Sequence, residues 1–275
     1  MANKGTYQVD LGKFKQLRGQ LYDLETRALD GQIDLDRAPE LLQVVLTDQY
    51  SNIRFIDPFV RYAHLSLPLD EQLSLLRKYN EKYWIGAITE DMFAAVDTMS
   101  DHTQRVEDLE ILYVEFGSPK ETFENWVAVW KGENPDFWRG DSLNDGYDIR
   151  RLARNTKKYP VGIHRIHINL VADWDPENGN SVDDTRNRVK GTKEKLAHGE
   201  VFAAYALHTE LLQATDGTNL PYFDAAGYEV KPSGVSGSRH APYGEWNADD
   251  GKADVDSGWT DGRDRDYAAP VVWES

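Results

Sequence analysis

The chain has 275 residues, 40% of them hydrophobic, which suffices for one large domain or two modest ones. Its formal net charge of −16 disfavours nucleic-acid phosphates and anionic membrane surfaces as partners, because both require a basic footprint. The sequence contains no cysteine, which excludes a disulfide scaffold, a thiolate zinc site and a cysteine nucleophile.

Helical patterns dominate the first half of the chain. Apolar residues recur at helical spacing in three segments, 11–29, 37–49 and 69–84. Thr89 is the expected cap of a short fourth helix, and Ser118 followed by Pro119 predicts the start of a longer one. One strand is predicted between them, at 109–116 (LEILYVEF). We therefore predict a mainly helical accessory domain over residues 1–150.

The second half of the chain mixes strands and helices. Segment 161–174 (VGIHRIHINLVADW) alternates like a strand, and Ser181 with Asp184 predicts a capping box for a polar helix that reaches about Leu196. Three further elements follow, an apolar helix at 200–214 and strands at 226–230 and 268–273. These patterns predict an α+β domain over 151–275, and α+β is the predicted fold class.

Residues 233–267 have a different composition from the rest of the chain. Val235 and Val255 are the only aliphatic residues there that are larger than alanine, so the segment cannot fold as an independent unit. We interpret it as an exposed, loop-built recognition surface outside the packed core. Its tyrosine, tryptophan, serine, glycine and asparagine are typical of binding loops on rigid scaffolds. The alternative is a disordered acidic loop.

A strand, two helices and a long polar region that ends in a C-terminal strand resemble the C-type-lectin-like fold over about residues 160–275. In particular, they resemble the variable proteins of diversity-generating retroelements, in which adenine-directed mutagenesis diversifies a region near the C-terminus. Diversified codons yield Asp, His, Tyr, Ser, Gly, Ala, Arg or Thr, but not Lys, Glu or Trp, and residues 233–267 favour the reachable set. The resemblance then implies an invariant framework at four positions, Glu245, Trp246, Lys252 and Trp259.

Two stretches, LAHGEVFAAYALH and DYAAPVVWE, are also similar to uncharacterised proteins of candidate-phyla bacteria. The sequence departs from many lectin-like domains at its end, where AAPVVW replaces a glycine, an aromatic residue and an arginine. The resemblance does not cover the helical first half.

The resemblance implies a non-enzymatic protein that displays a hypervariable ligand-binding region. Its acidity favours a basic or hydroxyl-rich ligand, either a protein or a glycan, with no nucleic-acid partner, and it leaves the oligomeric state open. The expected ligand-binding residues are Ser236, Ser238, His240, Tyr243, Asn247, Asp249, Asp250, Asp254, Asp256, Asp261, Asp264 and Asp266. Tyr243 is expected to make the main contact with the ligand, and the aspartates are expected to make the binding surface polar.

The location expected from the sequence is cytoplasmic. The first residues, MANKGTYQVDLGKF, lack the apolar region of a secretory signal. No segment has the apolar length that spans a bilayer, so we expect no membrane insertion.

Three alternatives remain open. One is a metal-dependent hydrolase that uses His167, His198, His208 and Glu210, although their spacing is poor for chelation. A second concerns the cofactor: none is expected, but calcium is a candidate because aspartates recur at 173–175 and 254–266. A third is an assembly protein whose N-terminal helices oligomerise.

Overall fold

The computed structural model describes residues 67–96, 99, 109–153, 155–217, 220–233, 239–247 and 250–273. The chain divides into two compact units, Met1–Ile56 and Asp57–Ser275, and the described residues all belong to the second. The described residues form helices and two sheets, so the fold class is α+β, as predicted. The helices predicted at 11–29 and 37–49 lie outside the described residues.

The helices of the described residues are α1 (Leu69–Lys82), α2 (Glu90–Ala95), α3 (Pro119–Glu133), α4 (Val182–Arg188), α5 (Gly199–Leu207) and α6 (Thr209–Ala214). The strands are β1 (Leu109–Glu115), β2 (Trp138–Arg139), β3 (Asp148–Arg151), β4 (Gly162–Asn169), β5 (Glu194–Leu196), β6 (Tyr222–Asp224), β7 (Tyr228–Lys231), β8 (His240–Asn247), β9 (Lys252–Trp259), β10 (Tyr267–Ala268) and β11 (Val271–Trp273). A 3₁₀ turn, Asp141–Leu143, lies between β2 and β3. Among these helices, none has the length and apolar character needed to cross a bilayer.

The three predicted N-terminal caps are confirmed. The hydroxyl of Thr89 accepts the N–H of Met92 at the start of α2, and Ser118 accepts that of Glu121 at the start of α3. Ser181 begins α4 with both hydrogen bonds of a capping box. Each cap satisfies a backbone donor that the first helical turn leaves unpaired.

Several element boundaries differ from the prediction. Helix α4 ends at Arg188 rather than near Leu196, because residues 194–196 pair with β11 as strand β5. The helix predicted at 200–214 is divided at His208, whose backbone is not helical, into α5 and α6. The final strand is likewise divided into β10 and β11, which join different sheets.

The smaller sheet has the strand order β1-β4-β11-β5. Strands β1 and β4 are antiparallel from Leu109 opposite Ile168 to Glu115 opposite Gly162. The boundary expected between residues 150 and 151 therefore falls inside one compact unit, with paired strands on both sides of it.

The larger sheet has the order β10-β6-β8-β7-β3, with β9 paired to β8 and β2 paired to β9. The β8–β9 hairpin pairs from His240 opposite Trp259 to Asn247 opposite Lys252. The interpretation of 233–267 as loop-built and outside the core is therefore wrong for residues 240–247 and 252–259, whereas residues 261–265 are exposed and outside the named strands. Ala253 and Val255 are fully buried in the main core, because alternate side chains of a strand point to opposite faces.

Helices α3 and α5 form the layer on which the hairpin packs. The indole N–H of Trp130 on α3 donates to the carbonyl of Phe202 on α5 at 3.1 Å, and the Tyr205 hydroxyl donates to the Gly244 carbonyl at 3.3 Å. A Cβ at Gly244 would overlap the ring of Trp130 and lie 3.3 Å from that of Tyr205. The hairpin approaches the helices this closely because residue 244 has no side chain.

We expect Gly244→Ala to destabilise the protein by about 1–3 kcal/mol, because the added methyl group must displace a packed indole ring. Gly258→Ala is the matched control on the other face of the same hairpin, where a Cβ would lie 3.7 Å from the Tyr243 ring. The control should change the free energy of unfolding by less than about 0.5 kcal/mol. Urea unfolding measures both variants, and equal effects would contradict the packing described.

Candidate functional site

Alternate residues of the β8–β9 hairpin point away from α3 and α5. Their cross-strand pairs are Tyr243 with Asp256, Glu245 with Asp254, and Asn247 with Lys252. Neighbouring strands extend this surface, since Trp138 of β2 pairs with Asp254 and Asp224 of β6 pairs with Tyr243. We define the open face as Trp138, Tyr222, Asp224, Tyr243, Glu245, Asn247, Lys252, Asp254, Asp256 and Tyr267.

Three tyrosines of the open face contact one another. The ring centroids of Tyr243 and Tyr222 each lie 5.2 Å from that of Tyr267. The Tyr267 hydroxyl donates to Oε2 of Glu245 at 2.6 Å. Burial, followed by this hydrogen bond, raises the pKa of Tyr267. The aromatic side of the open face is therefore held in place by its own contacts.

Carboxylates outnumber cations on the open face. Burial raises the pKa of Asp254 and the neighbouring Glu245 raises it further, whereas Lys252 and a side-chain hydrogen bond from Asn247 lower it. Burial also raises the pKa of Asp224 to about 8. Lys252 is the cation of this face, and its Nζ lies 2.9 Å from Asp250 in the hairpin turn. The surface is thus acidic, although the carboxyl of Asp224, with a pKa of about 8, carries little charge at neutral pH.

A chain of hydrogen bonds joins the 3₁₀ turn to the hairpin. Ser142 donates to Oδ1 of Asp256, and Ser257 donates to Ser142 at 2.9 Å. His240 Nδ1 lies 3.2 Å from the Ser257 hydroxyl. Because the Ser257 proton is directed to Ser142, His240 must act as the donor, which is the wrong direction for a base that activates a serine. The chain fixes the hairpin rather than forming a nucleophile.

The structure brings together four of the predicted ligand-binding residues, Tyr243, Asn247, Asp254 and Asp256. Asp250 lies in the adjoining turn, and His240 lies at the other end of the hairpin. His240 contacts Trp259, whose ring centroid is 4.6 Å away.

The remaining predicted residues are not part of the open face as defined. Asp261, Asp264 and Asp266 follow β9, where Asp264 forms a bridge to Asn180 and accepts the N–H of Asp266. Ser236, Ser238 and Asp249 lie outside the described residues.

The sequence analysis did not place Trp138, Tyr222, Asp224 and Tyr267 on the candidate surface, and it assigned Glu245 and Lys252 of the open face to the framework. Their contribution depends on strand pairing between distant segments, which no local pattern reports. The one available signal was Trp138, a tryptophan within a turn-rich stretch, which is 44% exposed in the structure.

A second polar cluster is buried between the two sheets at the start of α5. Glu115 accepts from Arg151 at 2.6 Å, from Tyr113 at 2.9 Å and from Thr122 at 2.7 Å. His198 is the N-cap of α5, and both it and Glu115 are buried. A buried charge with several partners costs less than an unpaired one, so this cluster ties β1, β3 and α3 together.

His198 and Glu200 are in direct contact within this cluster, with Nδ1 and Oε2 3.1 Å apart. Burial lowers the pKa of His198 to about 3 and raises the pKa of Glu200. Nε2 of His198 lies 3.2 Å from the Lys157 carbonyl, and Nδ1 accepts the Gly199 N–H at 2.7 Å. These two contacts fit a neutral imidazole that donates from Nε2.

The ligand set of the alternative metal-dependent hydrolase is not assembled. His198 and His208 cap opposite ends of α5, about 15 Å apart at the rise of an α-helix. Nε2 of His167 lies 3.6 Å from Glu110 across the β1–β4 pair. Within the described ranges, no group of three or more His, Cys, Asp or Glu residues is placed to hold a metal ion, including the aspartates considered for calcium.

Comparisons with protein-family models, curated proteins and solved structures found no match. A function for this chain therefore has to be inferred from the geometry of the open face and of the buried cluster.

We expect the free energy of unfolding to fall as the pH drops from 6.5 towards 3, in part because of His198. Below its unfolded pKa of 6.5, the unfolded chain binds a proton that the folded chain binds only near pH 3. One such group contributes up to about 1.4 kcal/mol per pH unit. His198→Asn, which keeps a capping side chain, should flatten this slope in urea unfolding at pH 7, 6, 5 and 4.

We expect Glu200→Gln to change the pH dependence of stability in the opposite direction to His198→Asn. The raised pKa of Glu200 makes its protonation favour the folded state as the pH falls, so removing the group should steepen the slope. A slope that neither variant changes would exclude this cluster as a source of the pH dependence.

Proposed function

We propose that this chain is a non-enzymatic binding protein that contacts its ligand through the open face. The observation that carries the proposal is the alternation along β8 and β9. Tyr243, Asn247 and Asp256 point outward, while Ala253 and Val255 of the same hairpin are buried in the core. A surface of varied polar and aromatic side chains thus rests on a packed support, which is the arrangement that binding sites favour.

The residue types of the open face suit recognition of a polar protein or glycan. Tyrosine and tryptophan give a large contact area at a small entropic cost, and carboxylate and amide groups supply directed hydrogen bonds. Trp138, which belongs to this surface and is 44% exposed, supplies an apolar side chain. The acidic character favours basic or hydroxyl-rich ligands.

We further propose that the open face is the diversified surface of a C-type-lectin-like variable protein. The composition of 233–267 and the order of its elements support this proposal. Because side chains along β8 and β9 alternate between the core and the open face, only alternate positions of the hairpin tolerate substitution. Substitution on the outward side leaves the core intact, whereas substitution at Gly244 or Val255 disturbs the packing on α3 and α5.

We expect sibling copies of this gene to differ at alternate positions of the hairpin. Tyr243, Asn247, Asp254 and Asp256 should vary, while Gly244 and two buried residues, Ala253 and Val255, should be constant. Sequencing of sibling copies and of the genomic neighbourhood tests this, together with a near-repeat that differs mainly at adenines and a nearby reverse transcriptase. Variation spread evenly over both faces, or the lack of a near-repeat, would contradict diversification by a retroelement.

Binding itself is tested separately with arrays of immobilised peptides and glycans. A triple variant, Tyr243→Ala, Asn247→Ala and Asp256→Ala, should lose the signals of the unmodified protein. The control carries Glu81→Ala, Lys131→Ala and Asp145→Ala, three exposed positions on other elements, and should keep them. Equal circular dichroism spectra establish that all proteins are folded. If the open-face variant keeps every signal, the ligand surface lies elsewhere.

A further inference from the structure

The buried cluster at the start of α5 contains a contact that requires a proton. Nδ1 of His198 lies 3.1 Å from Oε2 of Glu200, and both side chains are fully buried. Two such atoms form a hydrogen bond at this distance only if one of them carries a hydrogen directed at the other. The position of that hydrogen follows from the other contacts of the two residues.

The contacts of His198 place its own hydrogen on Nε2. The backbone N–H of Gly199 donates to Nδ1 at 2.7 Å, so Nδ1 is an acceptor. Nε2 lies 3.2 Å from the carbonyl of Lys157, which can only accept, so Nε2 is the donor. An imidazolium would direct a second hydrogen from Nδ1 against the N–H of Gly199. His198 is therefore neutral, and its unprotonated Nδ1 faces Glu200.

The same geometry disfavours an ionised Glu200. The oxygens of a carboxylate can only accept, so Oε2 and Nδ1 of His198 would turn lone pairs towards each other in a site without solvent. A carboxylic acid instead donates from Oε2 to Nδ1. Its Oε2 still accepts the backbone N–H of His198, which is 2.6 Å away. Both contacts are then hydrogen bonds.

The charges around the pair favour the same neutral state. Arg151 already forms an ion pair with Glu115 at 2.6 Å, and ionisation of Glu200 would place a second carboxylate beside that pair. Burial raises the pKa of Glu200 and lowers the pKa of His198 to about 3. The titratable and charged groups that face the pair come from β1, β3, β4, β7 and the segment before β4, and they are Tyr113, Glu115, Arg151, Lys157, Tyr159, His164 and Tyr228.

Helix α5 connects this pair to the hairpin of the open face. The first turn of α5 lies close to β1 and β7, since a Cβ at Gly199 would be 2.7 Å from the Tyr113 hydroxyl and 3.1 Å from that of Tyr228. The second turn carries Tyr205, whose hydroxyl donates to the carbonyl of Gly244. Because successive turns of a helix are hydrogen-bonded to each other, a displacement of the first turn is transmitted to the contact with the hairpin.

We propose that a proton held between Glu200 and His198 fixes the start of α5, and that its loss to solvent at alkaline pH displaces this helix. The folded protein carries the proton on Oε2 of Glu200 at neutral pH. Without it, Oε2 and Nδ1 are two facing acceptors, and their repulsion weakens the junction of α5 with β1 and β7. The proposal goes beyond ligand binding and holds whether or not the open face has a ligand.

Spectroscopy of the full chain at pH 7 tests the position of the proton. Infrared spectra of protein with ¹³C-labelled glutamate should show a protonated carboxyl that Glu200→Gln lacks. Glu81→Gln, which removes an exposed carboxylate from α1, should keep it. In ¹⁵N-histidine spectra of the unmodified protein, Nδ1 of His198, assigned through its backbone couplings, should be unprotonated. A protonated Nδ1, or the absence of the carboxyl signal, would overturn the proposal.

Urea unfolding tests the link between this proton and stability. The amide of Glu200→Gln can donate to His198 and accept its N–H, so this variant reproduces the protonated state at every pH. Above the unfolded pKa of 4.5, the equilibrium constant for unfolding of the unmodified protein should rise about tenfold per pH unit relative to Glu200→Gln. The rise should end at the pH where Glu200 ionises. Glu81→Gln should behave like the unmodified protein, and a constant ratio would contradict the proposal.

The backbone amide signal of Gly244 tests the transmission through α5. In the unmodified protein and in Glu81→Gln, part of its shift should have the same pH midpoint as the loss of the carboxyl signal. That part should be missing in Glu200→Gln. Asp224, with a pKa of about 8, titrates nearby in all three proteins, so the difference between them isolates Glu200. An equal Gly244 shift in Glu200→Gln, or a carboxyl that stays protonated until the protein unfolds, would overturn the proposed displacement.

Discussion

The absence of a side chain at Gly244 is the constraint on which the candidate site depends. It allows β8 to lie against the rings of Trp130 and Tyr205, and thereby fixes which side of the hairpin enters the core. A strand alternates strictly between two faces, so this single close approach also determines the outward side. Tyr243, Asn247 and Asp256 point away from the core because Gly244 and Val255 point into it.

Glu115 and Asp254, both among the described residues, are buried carboxylates with different surroundings. Glu115 is fully buried, but Arg151, Tyr113 and Thr122 compensate its charge. Asp254 is nearly as buried, and its carboxylate is attracted by Lys252 and hydrogen-bonded by Asn247, while its Oδ1 has no partner. The first arrangement is expected of a group that joins elements of the fold, whereas the second leaves a buried charge only partly compensated.

The open face combines rigidity with an excess of acidic side chains. The tyrosine contacts, the Tyr267–Glu245 hydrogen bond and the Ser142–Asp256 hydrogen bond hold the surroundings of the site in place before any ligand arrives. Preorganised groups lose little entropy on binding. A surface of this kind can change specificity by substitution of outward side chains without loss of the support beneath them.

Local interactions made part of this structure predictable from the amino-acid sequence. The caps at Thr89, Ser118 and Ser181, the helix that follows each cap and the α+β class could be predicted, because capping and periodicity involve residues within a few positions of one another. The composition of 233–267 also located four of the open-face residues. The three-dimensional fold was needed to show that this segment is a hairpin with one side in the core, and that Trp138 and Asp224 lie beside it. Those relations depend on the pairing of strands that are far apart in the chain, and on one glycine whose small size matters only against a particular tryptophan. Local patterns contain no information about such partners, so they could not predict the face that a ligand would meet.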